Sequence, residues 1–200
     1  MKTVLILLTV LFCSSIQESP KFISGKYDNE LHLAFNPNNN IVTGYFNSAT
    51  GYDESTDRPK FTCVFYLEGK LENNKVNIES YYPLKKEDDL ILGAINLIDN
   101  SHLSIKLSED HGGCWNVQPF SNAPINYELS EKHTWIEIRY ISKEKANFYS
   151  DKNDSSMRKS YLIKGDIVYI DRIEDNWAYC NYYGVKTTTG WIKLESLNNL

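Results

Sequence analysis

The residues of this chain best suited to chemistry are four cysteines, at 13, 63, 114 and 180, and four histidines, at 32, 102, 111 and 133. Their spacing argues against most of the chemistry they could do. A thiol peptidase needs a thiolate, an imidazole base and a polar orienter, and no stretch outside the strand-like segments leaves room for a separate catalytic domain. No CxxC pair occurs, so zinc and dithiol redox chemistry lose their spacing signal. No two histidines stand at i, i+4, and no GxSxG, HExxH, phosphate loop or GxGxxG is present. Glu109-Asp110-His111 is a local acid–base cluster, but its position before Gly112-Gly113 reads as a solvated hairpin loop. The expectation is a protein that is not an enzyme, with no cofactor and no metal.

Two stretches are better suited to contact than to catalysis. In His111-Gly112-Gly113-Cys114-Trp115-Asn116, two glycines beside a cysteine and a tryptophan suggest a tight, rigid corner. His111 and Trp115 are candidate partner contacts there, with Trp115 as the anchor; the alternative is a stapled bulge with Trp115 buried. Ser48 to Pro59 is the longest connection in the N-terminal half, acidic and without calcium-loop spacing. It reads as a solvated loop or a contact loop.

These residues need a compartment and a scaffold. Lys2, the apolar run Val4 to Phe12 and the small residues after it have the layout of a secretory leader, with cleavage expected after Ser15. A lipid anchor through Cys13 is the rival, disfavoured by the bulky Phe12 before it. Export to a secreted or periplasmic location places the remaining cysteines in an oxidising space. Three cannot all pair; Cys63 and Cys114, both in apolar strand-like settings, are expected to form a disulfide, leaving Cys180 a buried thiol. The formal net charge of −5 and pI near 5.4 argue against nucleic-acid binding, whose electrostatics need a basic face. No second apolar run is long enough to span a bilayer as a helix.

The scaffold reads as all-β. Short alternating segments recur through residues 21–120, separated by turn residues such as Asn36-Pro37-Asn38-Asn39-Asn40, Asn73-Asn74 and Asp99-Asn100-Ser101. About eight strands are counted, the last at Cys114 to Phe120. Successive hairpins favour an antiparallel barrel over residues 20–125, with Phe35, Phe46, Phe61, Phe65 and Leu67 facing inward. Residues 126–134 break the rhythm after Pro124 and read as a linker, with one helical turn between Asn126 and Lys132.

Residues 135–200 carry a recognisable order. Ala146-Asn147-Phe148-Tyr149-Ser150 precedes Leu162-Ile163-Lys164-Gly165-Asp166; Val168 and Ile170, Trp177-Ala178-Tyr179 and Thr189-Gly190-Trp191-Ile192-Lys193 follow. This resembles the bacterial SH3 (SH3b) family, over about a third of the chain. The resemblance implies a second, small SH3-like barrel that binds rather than catalyses, with cell-wall peptide or an envelope protein as partner. It also implies an aromatic contact surface, for which Phe148, Tyr149, Trp177, Tyr182, Tyr183 and Trp191 are the candidates. Trp177 and Trp191 could instead fill the core, and the insert Asp151 to Ser156 would form the loop over any groove.

Three functions fit this reading: a wall- or envelope-binding protein, an inhibitor or immunity factor that blocks a basic envelope-acting enzyme with the two contact loops, and a carrier with an apolar barrel interior.

Overall fold

The structure, a computed structural model, describes residues 20–200; the expected leader, its expected cleavage site and Cys13 lie outside the described residues. Eight antiparallel strands close a barrel in sequence order: β1 (Gly25–Tyr27), β2 (Leu31–Asn36), β3 (Ile41–Asp53), β4 (Arg58–Glu72), β5 (Lys75–Tyr81), β6 (Ile91–Leu97), β7 (His102–Leu107) and β8 (Ile125–Lys132), which returns to pair with β1. Hairpin turns make this order, as at Asn73, which takes φ 56° between β4 and β5. Period-2 alternation puts Cys63, Phe65 and Leu67 of β4 inside. The barrel axis is filled by Phe46 and Phe65, stacked at 5.1 Å, with Phe120 edge-on to both at 5.0 and 5.2 Å.

Residues 126–132, expected as linker and helical turn, are the strand that closes the barrel. Ile125, Tyr127 and Leu129 alternate inward against exposed Asn126, Glu128 and Ser130, and the polar outer set hid the period. The expected last strand at Cys114–Phe120 is instead a short helical turn, α1 (Cys114–Val117), entered through Gly113 at φ 86°. A side chain at position 113 would place its Cβ 2.4 Å from the Thr62 carbonyl oxygen, so only glycine fits.

The expected loop Ser48–Pro59 is an arm, not a loop. β3 and β4 pair from Ile41 opposite Lys70 out to Asp53 opposite Arg58, and the turn is Glu54–Asp57 alone. The arm has solvent on both faces, so it carries no apolar alternation to betray it. Phe61, expected inside, lies on this arm and is exposed.

The expected disulfide is present: Cys63 and Cys114 are bonded, tying α1 to the base of the arm across 51 residues of sequence. Thr50 Oγ1 adds a long hydrogen bond to the Asn116 carbonyl, 3.4 Å. In the chain-entropy picture, closing such a loop stabilises by about 3–4 kcal/mol. Reduction under mild denaturant is therefore expected to lower the urea midpoint by that equivalent; an unchanged midpoint would show the bond to be dispensable. Cys180 is a buried free thiol.

The remaining strands are β9 (Glu137–Tyr140), β10 (Lys145–Tyr149), β11 (Met157–Ile163), β12 (Ile167–Glu174), β13 (Trp177–Tyr183) and β14 (Thr187–Lys193). They form one six-stranded sheet in the order β11-β10-β14-β13-β12-β9. Its own core contains Ile141, Phe148, Leu162, Val168, Ile170 and Ile192.

The two sheets meet over the outer face of β2 to β5. Ala34, Trp135, Ile138 and Tyr169 form one buried cluster there, and Tyr66, Tyr81 and Tyr140 another. Ile138 donates its N–H to Thr43 Oγ1 at 2.7 Å, and Tyr66 donates its hydroxyl to the Ile138 carbonyl at 3.0 Å. Asn36 Nδ2 donates to Glu137 Oε1 at 2.9 Å, which partners that buried carboxylate together with Arg139 at 2.7 Å. These hydrogen bonds cross between the two sheets and tie the halves together.

Candidate functional site

The strand ladder assembles an aromatic and charged face on the second sheet. On β13, Ala178 and Cys180 turn into the core, so Trp177 and Tyr179 face outward. Register then places Lys193 opposite Trp177, and Trp191 opposite both Tyr179 and Tyr149. Trp177 meets the Tyr149 ring edge-on at 4.8 Å, and Tyr179 meets Trp191 at 5.1 Å. Gly190 eases the approach of β10 to β14, because a Cβ there would lie 3.0 Å from the Tyr149 carbonyl oxygen.

Cations cover the rings. The Arg172 guanidinium stands 4.1 Å from the Tyr179 centroid and 5.0 Å from Trp191, and Lys152 Nζ stands 5.6 Å from Trp191. Lys193 Nζ is 5.6 Å from Trp177 and 5.9 Å from Tyr149. Such contacts are favourable electrostatically, and they explain the fate of the two tryptophans. Neither fills the core. Trp191 is nonetheless only 6% exposed, because Arg172 and Lys152 lie over it. It is a floor, while the half-buried Trp177 stays open to contact.

Beside Trp177 is an open cavity of about 570 Å³, walled by Lys152, Asn153 and Asp154 of the insert and by Lys193 and Glu195. Lys193 pairs with Asp154 and Lys152 with Glu174, both at 2.6 Å. Donating a hydrogen bond to its carboxylate raises the pKa of each lysine, and Lys152 lowers that of Glu174. The cavity thus brings both signs of charge beside an aromatic wall. That arrangement can hold a zwitterionic or peptide-like ligand.

Tyr182 and Tyr183 are not part of this face. They line a second cleft, about 390 Å³, between the sheet and the barrel, where Tyr45 and Tyr169 join them. The expected aromatic set is thus divided: Tyr149, Trp177 and Trp191 come together, Tyr182 and Tyr183 stand elsewhere, and Phe148 is buried in the core.

His111 and Trp115 are also separated. Trp115 is 68% exposed at the disulfide corner, next to the arm that carries the exposed Tyr52 and Phe61. His111, expected in a solvated loop, is buried and stacked on Phe65 at 5.1 Å. Its Nε2 faces Ser80 Oγ at 2.9 Å and its Nδ1 faces Asp89 Oδ2 at 3.0 Å. No motif announces this serine–histidine–aspartate relay, because its members lie 31 and 22 residues from His111. Ser80 is wholly buried on the inward face of β5 and its hydroxyl also reaches the Ile91 carbonyl at 3.0 Å. The relay packs against the barrel core through the His111–Phe65 contact, and its serine hydroxyl is closed off from solvent. Among the described residues, no group of three metal-ligating side chains is assembled.

Burial lowers the pKa of His111 against the opposing pull of Asp89, and burial, with Lys26 nearby, lowers His32 to about 4. His32 Nδ1 is 2.5 Å from the Tyr169 hydroxyl at the junction of the two sheets. Both rings are held neutral in the folded chain and take a proton near pH 6.5 when unfolded. Between those pH values the unfolded chain binds more protons, so stability falls as pH drops through 6.5 and levels off for His32 below about 4. Thermal melts from pH 7.5 to 4 are expected to show this slope, and His32→Gln is expected to flatten it. An unaltered slope in that variant would remove His32 from the account.

Comparison of the chain with protein-family models, with curated proteins and with solved structures finds no match.

Proposed function

We propose that this chain is an exported, non-enzymatic binding protein whose C-terminal sheet is an SH3-like module that recognises cell-wall peptide. One observation carries the reading: the cavity at Trp177, where an aromatic wall is lined by the cations Lys152 and Lys193 together with the carboxylates Asp154 and Glu195. A wall peptide has carboxylates, amines and short apolar side chains, and each of these has a complementary group there. The SH3-like reading is supported by the six short antiparallel strands around their own core and by the Lys164-Gly165-Asp166 turn. In that turn Gly165 takes φ 92° and the Asp166 carboxylate accepts the Ile163 N–H at 2.9 Å. The disulfide, and the lack of any helix among the described residues long and apolar enough to cross a membrane, are compatible with a secreted or periplasmic address. The test is retention of the mature protein on purified peptidoglycan.

A second reading is favoured by the arm. The disulfide brings both expected contact loops to one corner, where Tyr52, Phe61 and Trp115 are exposed. A projecting aromatic corner on an acidic protein suits the blocking of a basic enzyme. Stoichiometric inhibition of a lysozyme-type enzyme, lost in Trp115→Ala, would favour this role.

A further inference from the structure

The cleft between the barrel and the second sheet has a composition unlike the Trp177 cavity. Its walls are Tyr45, Tyr169, Tyr182 and Tyr183, with Glu30 entering from the barrel and Asp166 from the sheet. The tyrosines are held in place: Tyr169 and Tyr183 meet at 5.0 Å, and Tyr183 meets the buried Trp135 at 6.0 Å. No lysine or arginine lines the cleft among the described residues. Glu30 receives the Ser48 hydroxyl at 2.7 Å and Asp166 the Ile163 N–H at 2.9 Å, yet neither has an ion-pair partner among the described residues. The histidine in the cleft, His32, is committed to the Tyr169 hydroxyl.

Two carboxylates without an ion-pair partner line this cleft together with four tyrosines, and carboxylates and aromatic ring faces both attract cations. A carboxylate-bearing ligand would be repelled. An uncharged sugar would stack, but it would leave both charges uncompensated. From this we infer that the cleft binds a small organic ammonium ion, a protonated primary amine, at a site separate from the Trp177 cavity.

The test is a titration of the mature protein with n-butylammonium chloride, followed through the tyrosine ring resonances by NMR. Sodium chloride at matched ionic strength and N-acetylglucosamine serve as controls. Saturable shifts confined to Tyr45, Tyr169, Tyr182 and Tyr183 are expected with the amine and with neither control. Glu30→Gln is expected to weaken binding about fivefold, and Asp166→Asn likewise. Glu30→Gln keeps the test decisive if loss of the Asp166 carboxylate disturbs its turn. The proposal is overturned by shifts that do not saturate, by equal binding of the sugar, or by unchanged affinity in a folded Glu30→Gln variant.

Discussion

Replacing Trp135 by alanine is expected to destabilise the folded chain by about 3–5 kcal/mol, the usual cost of emptying a buried tryptophan site. Trp135 is 2% exposed and lies where the two sheets meet. It stacks on His133 at 3.7 Å and packs against Tyr169 at 4.5 Å. Its neighbours are barrel residue Ala34 and sheet residue Ile138, so the cavity left behind would open between the halves. For a chain of this size each kcal/mol lowers the melting temperature by roughly 2–4 °C, which makes the effect large on any melt. A second unfolding transition is also expected, because the indole helps the two sheets unfold together. A loss below about 1 kcal/mol with a single transition would mean that the interface rests on the Tyr66, Tyr81 and Tyr140 cluster instead.

The second large effect is on binding. Trp177→Ala is expected to reduce retention on peptidoglycan at least tenfold, as loss of a central aromatic contact does at hot spots. The fold should tolerate it, since Trp177 is half-buried on the outer face and the core residues beside it are Ala178 and Cys180. Trp177→Phe should recover part of the binding. Trp191 is the instructive contrast: covered by Arg172 and Lys152, its removal should cost stability as well as binding. If Trp177→Ala binds as the parent does, the cavity is not the contact site.

Much of the barrel was legible because its inside and outside obey a simple alternation. Phe65 and Leu67 face in on β4, Asn73 marks a turn, and the cysteines in apolar settings find each other. The strand at Ile125–Lys132 was not legible, since its outer face (Asn126, Glu128, Ser130 and Lys132) is wholly polar and Pro124 stands just before it. The arm escaped for a related reason: with both faces wet, nothing selects the apolar period.

The covered face of the barrel left a trace that a strand-by-strand reading overlooks. β2 to β5 bury Ala34, Thr43, Tyr66 and Tyr81, residues next in sequence to inward-facing ones. Strands buried on both sides lose clean alternation, and here that loss marks where the second sheet docks. The aromatic residues of the C-terminal part were found as a set, but types alone could not divide them. Their division follows from register, which places Tyr149, Trp177 and Trp191 on one face and leaves Tyr182 and Tyr183 to the cleft. The Ser80–His111–Asp89 relay had no local signal at all, because only the closed barrel brings those strands and loops together.

The central claim, that the Trp177 face holds cell-wall peptide, is tested most directly by co-sedimentation of residues 16–200 with purified peptidoglycan sacculi at low and at physiological salt. The account expects pelleting that survives physiological salt, because an aromatic contact is screened far less than an ion pair, and that is lost in Trp177→Ala. Failure of the parent protein to pellet at either salt would contradict it and leave the exposed corner of Tyr52, Phe61 and Trp115 as the working contact surface.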